Sequence, residues 1–234
     1  IYWPGSDVPV GGKYPDLYYR YDAKPQLTLK QRAKRIIEQL RMPESKRPRL
    51  IMAYFEQPDG HGHKYGPQDK RTGQVVEEMD SLVKTIWDEI QQLPIAADVN
   101  FIVTSDHGMT SISNERTIPV MKHLKKEWIE SVEGDLPGLI YVREGFVDSV
   151  VFALHDVPHL KVWKREEVPA YLHYGSSPMI GDVVALPELG WLFTDQTVSS
   201  LGSHGFDPAY SDMHAMFRAV GPDFKQGYSK KVHF

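Results

Sequence analysis

LIMAYFEQPDGHGHKYGPQDKRTGQVVEEMDSLVKTIWDEIQQLPIAADVNFIVTSDHG, residues 50–108, carries the alternation of elements that decides the fold. Leu50–Phe55 is a short apolar run preceded by Pro48, and its length predicts a buried strand. Gln57–Asp69 holds two Pro, three Gly and two His, which predicts a loop. Beyond it Val75, Val76, Met79, Leu82, Val83, Ile86 and Ile90 recur on one face of a helix. Phe101–Ser105 (FIVTS) then predicts a second buried strand. Strand, long helix and strand in this order imply a right-handed βαβ unit with parallel strands. The fold class is therefore α/β.

Outward from this unit the signals are local. Thr28 and Gln31 have capping-box spacing and start a helix whose apolar face is Leu29, Ala33, Ile36, Ile37 and Leu40. Residues 4–26 are rich in Pro, Gly, Asp and Tyr and predict irregular structure. Downstream, Leu139–Val142 and Asp182–Leu186 predict strands. Phe146–Leu154 suits helix or strand, and Met213–Val220 leans towards a strand. With no internal repeat, low-complexity tract or long linker, residues 1–234 are expected to form a single domain or part of one.

Composition narrows the function classes. A chain of 234 residues can bury a substantial core. No apolar run approaches the roughly 20 residues of a membrane-spanning helix. The net charge of −4 argues against a nucleic-acid polymer as partner, since that would favour a basic surface. An anionic small molecule stays open where metal ions supply positive charge locally. Cys is absent, so a metal must rest on His and carboxylate, a donor set suited to zinc, manganese or iron. Ile1–Gly5 has no initiator Met, basic stretch or apolar stretch and is not a signal peptide, so the chain is expected to be entered midway.

Two polar clusters follow the two predicted strands. Asp59 and His63 lie in Pro-Asp-Gly-His-Gly-His, and Asp106 and His107 in Ser-Asp-His-Gly-Met. In a parallel sheet, ligands bind beyond the C-terminal strand ends, and a βαβ unit puts both clusters at that same end. Four potential metal ligands are thus expected to converge. Gly60, Gly62 and Gly108 are expected to adopt backbone conformations closed to other residues. Gly202-Ser203-His204-Gly205 offers a further lone His. Imidazole and carboxylate are natural zinc ligands. His61 reads as a neighbour of the site more than a ligand. His123, His155, His159, His173, His214 and His233 read as structural.

The segments YFEQPDGHGHKYGP (54–67), IVTSDHGMT (102–110) and GSHGFDP (202–208) resemble the nucleotide pyrophosphatase/phosphodiesterase family of the alkaline phosphatase superfamily. YWPGSDVPVGGKYPDLYYRYD (2–22) and MFRAVGPDFKQG (216–227) resemble it as well, so the likeness runs in order over nearly the whole chain. It implies an alkaline-phosphatase-like α/β fold, with a mainly parallel central sheet and helices on both faces. The chain would be the later part of the catalytic domain. It also implies two Zn2+ ions, with Mn2+ or another divalent ion as substitutes. Asp59, His63 and His204 match the ligands of one ion, and Asp106 and His107 match two ligands of the other. The family's remaining Asp and its nucleophilic Thr belong to earlier segments, so no catalytic nucleophile is expected here. Trp3, Asp7 and Tyr21 fall where the family lines its nucleoside pocket. Phe206 stands where a Tyr is common.

The implied reaction is hydrolysis of nucleotide phosphodiester or pyrophosphate bonds. Two metals would clamp the phosphoryl centre, and a covalent phospho-enzyme would form and be released by water. Three other readings stay open: a phosphomonoesterase, a lipid phosphodiesterase, and a non-catalytic truncated metal-binding fragment. Paired aromatics in the pocket favour a stacked base, whereas a long apolar channel favours lipid. The expected location is periplasmic or secreted. The absence of Cys favours a bacterial version, because the vertebrate members are rich in disulfides.

Overall fold

A computed structural model describes residues 9, 11–20, 24 and 26–229. Among the described residues four α-helices form: α1 (Leu29–Leu40), α2 (Asp59–Tyr65), α3 (Lys70–Gln91) and α4 (Val147–His155). Ten short strands accompany them: β1 (Phe101–Thr104), β2 (Thr110–Ser111), β3 (Thr117–Ile118), β4 (Ile129–Glu133), β5 (Gly138–Val142), β6 (Leu160–Lys164), β7 (Val183–Pro187), β8 (Leu192–Phe193), β9 (Gly202–Ser203) and β10 (Phe217–Val220). The chain divides into two compact units. One comprises residues 1–58, 74–103 and 218–234, and the other 59–73 and 104–217.

In the first unit the capping box forms as its sequence dictates. The Thr28 hydroxyl accepts the Gln31 N–H at 3.3 Å, and the Gln31 side-chain oxygen accepts the Thr28 N–H at 2.9 Å. The predicted α1 face turns inward: Ala33, Ile36 and Ile37 join Ile86 and Ile90 of α3 in a buried core, with Leu40, Ile51, Ala53, Phe55 and Phe101 packed against it. Of the predicted α3 face only Val76 is exposed. β1 pairs with β10, so the strand expected within Met213–Val220 forms over its second half.

Leu50–Phe55 departs from expectation, because no strand forms there. Ile51, Ala53 and Phe55 pack on the core, whereas Leu50 is 75% and Met52 48% exposed. The side chains alternate as in a strand, but the backbone is held by other means. Arg32, buried on α1, donates to the Tyr54 carbonyl at 3.0 Å and pairs with Glu56. The expected βαβ unit is consequently not formed. An apolar run alone does not separate a strand buried on both faces from a half-buried segment.

The second unit is built on a four-stranded antiparallel sheet in the order β4-β5-β7-β6. β7 is buried along its whole length. Phe146–Leu154 resolves as helix α4. Its Val147, Val150, Val151 and Leu154 recur at helical spacing and lie with Ile140, Val183 and Ala185 in one core. The mainly parallel sheet is not what the described strands of this chain form: one pair, β3–β8, is parallel, and β2–β9 is antiparallel. Among the described residues no helix is long and apolar enough to cross a membrane.

Candidate metal centre

The segment expected to be a loop contains α2, and this short helix begins the site. Asp59 opens its first turn, where the helix dipole favours a carboxylate, and His63 and Lys64 stand in its last. Gly66, at φ +87°, ends it, with its N–H on the Gly62 carbonyl at 2.9 Å. The Gly and Pro content hid the helix, but the four-residue spacing of Asp59 and His63 puts them on one face. Their Oδ1 and Nε2 lie 3.3 Å apart.

His204 reaches the same point from the turn after β9. Its Nε2 is 3.6 Å from Asp59 Oδ1, and the ligand atoms of Asp59, His63 and His204 all lie within 4.8 Å of one another. His107 joins from the segment after β1. Its Nε2 is 4.0 Å from Asp59 Oδ1 and 3.5 Å from Asp106 Oδ1, and its ring stacks on His204 with centroids 3.5 Å apart. Asp59 Oδ1 is buried and, among the described residues, has no hydrogen-bond partner. A buried carboxylate oxygen facing three imidazole nitrogens without a hydrogen bond is costly unless a cation sits among them.

The imidazoles are set up to give lone pairs there. His63 Nδ1 is 2.8 Å from the Gly202 carbonyl, and His107 Nδ1 is 2.8 Å from the Gly108 carbonyl. A carbonyl only accepts, so each Nδ1 carries the proton and, in the neutral ring, each Nε2 is left as a donor of electrons. A ring N–H on a backbone carbonyl is also what holds a metal-binding His in place. Burial, followed by neighbouring His107, pushes the His204 pKa below its ordinary value and favours neutral imidazole. Asp59, His63 and His204 therefore suit a divalent ion, and zinc is well matched to this donor set. Asp106 differs, with its side chain 65% exposed and its Oδ1 accepting the His107 N–H at 3.1 Å.

The glycines act by close approach instead of unusual dihedrals. Gly60, Gly62 and Gly108 are not in the left-handed region. A Cβ on Gly108 would fall 1.9 Å from the Asp212 carbonyl oxygen, and one on Gly202 would fall 2.4 Å from that of Gly62. Backbone contact on backbone lets β9 meet α2 and lets the Asp106–Met109 segment meet Asp212. The Leu201 N–H on the His63 carbonyl at 2.8 Å adds a further tie between α2 and the segment entering β9.

His61 stays outside the cluster, with its carbonyl accepting Thr72 Oγ1 at 3.2 Å and its ring beside Tyr65. His155 pairs with Asp156, and His159 pairs with Glu188 and stacks on Trp191. Phe206 is buried. Trp3, Asp7, Tyr21 and His233 lie outside the described residues. One group escaped sequence reasoning: Asp207, within the quoted GSHGFDP, is a buried carboxylate bound to Tyr171 and Lys161. An acidic residue three positions after a ligand was the available signal, and its partners come from remote segments.

Known proteins resemble this chain over nearly its whole length. The family profile described as type I phosphodiesterase/nucleotide pyrophosphatase matches residues 1–207. The chain is 34% identical to ectonucleotide pyrophosphatase/phosphodiesterase family member 5 of Homo sapiens, over 98% of this chain and 48% of that protein. It is 31% identical to bis(5'-adenosyl)-triphosphatase of Bos taurus, over 97% of this chain and 50% of that protein. Among solved structures, murine ectonucleotide pyrophosphatase/phosphodiesterase 5, as an inactive variant in complex with AMP, superposes with a TM-score of 0.87. It is 32% identical and matches 98% of this chain and 61% of that one. The α/β, alkaline-phosphatase-like fold is thereby established, and the chain spans about half the length of the curated relatives it matches.

Proposed function

The chain belongs to the type I phosphodiesterase/nucleotide pyrophosphatase family, and from that premise we propose that it is part of one catalytic domain that hydrolyses nucleotide phosphodiester or pyrophosphate bonds. Asp59, His63 and His204 would hold one divalent ion, and Asp106 and His107 would supply two ligands of a second. The observation that carries this reading is Asp59 Oδ1, buried without a hydrogen bond and faced by the Nε2 atoms of His63, His204 and His107. Bound ions of this kind neutralise charge on non-bridging phosphate oxygens and lower the pKa of a hydroxyl nucleophile.

The residues of this chain bind and orient. Gly202 and Gly108 carbonyls fix the tautomers of His63 and His107, and burial keeps His204 neutral. The attacking Thr or Ser of a covalent phospho-enzyme route is assigned to none of these 234 residues. Two Zn2+ are the proposed ions, with Mn2+ as a substitute. A small nucleotide is the proposed substrate, with Trp3, Asp7 and Tyr21 as pocket residues. The AMP complex of one relative and the triphosphatase name of another support this choice. The location proposed is outside the cytoplasm, in keeping with the ecto-enzyme name of the human relative. The bacterial, periplasmic version rests on the absence of Cys alone, and the relatives named above are mammalian.

The test compares the nitrophenyl ester of thymidine monophosphate with free nitrophenyl phosphate. It uses a chain extended towards its N-terminus, with and without chelator. Preference for the diester, lost on chelation, is expected, and the 234-residue chain alone should be slower by several orders of magnitude. A chelator-insensitive rate, or preference for the monoester, contradicts the assignment.

A further inference from the structure

Asp59 and His63 share one helix, but His204 comes from a turn far along the chain, and its aim depends on what fixes that turn. On its N-terminal side β9 pairs with β2, Thr110 opposite Ser203 and Ser111 opposite Gly202. On its C-terminal side Gly205 turns the backbone at φ +100°, and Phe206 is buried with Ile112, Leu192 and Met213. Asp207 follows, 3% exposed.

The Asp207 carboxylate gathers three donors. Oδ2 accepts the Tyr171 hydroxyl at 2.7 Å and Lys161 Nζ at 3.1 Å, and Oδ1 accepts the Ala209 N–H at 3.0 Å. Lys161 belongs to β6, in register with Leu186 of β7, so the carboxylate ties the turn to the four-stranded sheet. A buried carboxylate is costly unless its oxygens are bonded. Here burial pushes the carboxyl up, but the Tyr171 hydroxyl, the Ala209 N–H and the Lys161 ammonium outweigh it, and the pKa lies below its ordinary value. Asp207 in turn holds the Lys161 ammonium above its own. Both groups are charged at neutral pH. Tyr171 and Lys161 are about half exposed, but the carboxylate they bond is buried, and a buried carboxylate with its oxygens bonded restrains the segments it joins.

We propose that Asp207 is a positioning residue for His204. Through Tyr171, Lys161 and its own turn it holds residues 204–208 so that His204 Nε2 meets Asp59 Oδ1. The proposal rests on the metal reading given above, and it assigns Asp207 no contact with substrate or ion.

The test is Zn2+ titration against a chromophoric chelator, with thermal unfolding of each metal-free protein beside it. Asp207→Asn keeps the shape but leaves either the Ala209 N–H or the Tyr171–Lys161 pair without an acceptor. Its Zn2+ affinity is expected to fall about 10–100-fold, as for other groups that orient a ligand, a larger loss than the accompanying drop in metal-free melting temperature explains. Tyr171→Phe removes one donor and should give a smaller loss in the same direction. It carries the test alone if Asp207→Asn does not fold. Wild-type affinity in these variants, or an affinity loss only in step with a lower melting temperature, overturns the proposal. His204→Ala separates the two readings. If it binds Zn2+ like the wild type, the metal assignment fails. If it loses Zn2+ while the Asp207 and Tyr171 variants do not, the positioning role alone fails.

Discussion

The Asp59–His63–His204 group and the Asp106–His107 pair have the same chemistry but different surroundings. In the first, three side chains from α2 and the turn after β9 close on a buried oxygen, and His63 is fixed from behind by the Gly202 carbonyl. In the second, Asp106 is largely exposed and His107 leans towards Asp59 as well as towards its own neighbour. Donor identity therefore does not set the quality of a metal site. What differs is convergence: the ligand atoms of Asp59, His63 and His204 lie within 4.8 Å of one another, whereas the Asp106 side chain is 65% exposed.

Substitution can break that comparison. Asp59→Asn removes the shared charge at the centre of the group. It should cost more Zn2+ affinity than the about 10–100-fold typical of losing an orienting partner. Asp106→Asn should leave the tightest Zn2+ event nearly unchanged. Isothermal titration of both variants decides the matter, and equal losses would mean that the two halves form one site of even strength.

These candidate ligands were legible to different degrees. Asp59 and His63 stand out by spacing, and Asp106 and His107 by following a strand that does form. His204 carried little signal without the family resemblance, because no local pattern ties it to α2. Leu50–Phe55 misled, since its side chains alternate between core and solvent as in a strand while its backbone forms none. The α2 segment misled in the opposite direction, because glycines placed for close approach mimic loop composition. Asp207 was hidden because Lys161 and Tyr171 are distant in sequence and meet it only in the folded chain.

A smaller effect sharpens the contrast between the fixed turn and the exposed Asp106. The folded Asp207 carboxyl titrates below its ordinary value of 3.8. Ionised Asp207 therefore contributes stability that is present in full above the unfolded value, and the contribution is lost as pH falls through the lower folded value. Melting temperatures of the wild type and Asp207→Asn, followed from pH 7 downward, should differ by a constant amount to about pH 4 and converge below it. A gap that closes near neutral pH would contradict a charged anchor.

The central claim is that Asp59 Oδ1, His63 Nε2 and His204 Nε2 surround one cation. Anomalous diffraction at the zinc edge, from crystals of the chain grown with Zn2+, tests it most directly. The account predicts a peak within about 2.0–2.2 Å of all three atoms. A zinc-saturated crystal with no peak there, or with zinc on other side chains, would contradict it.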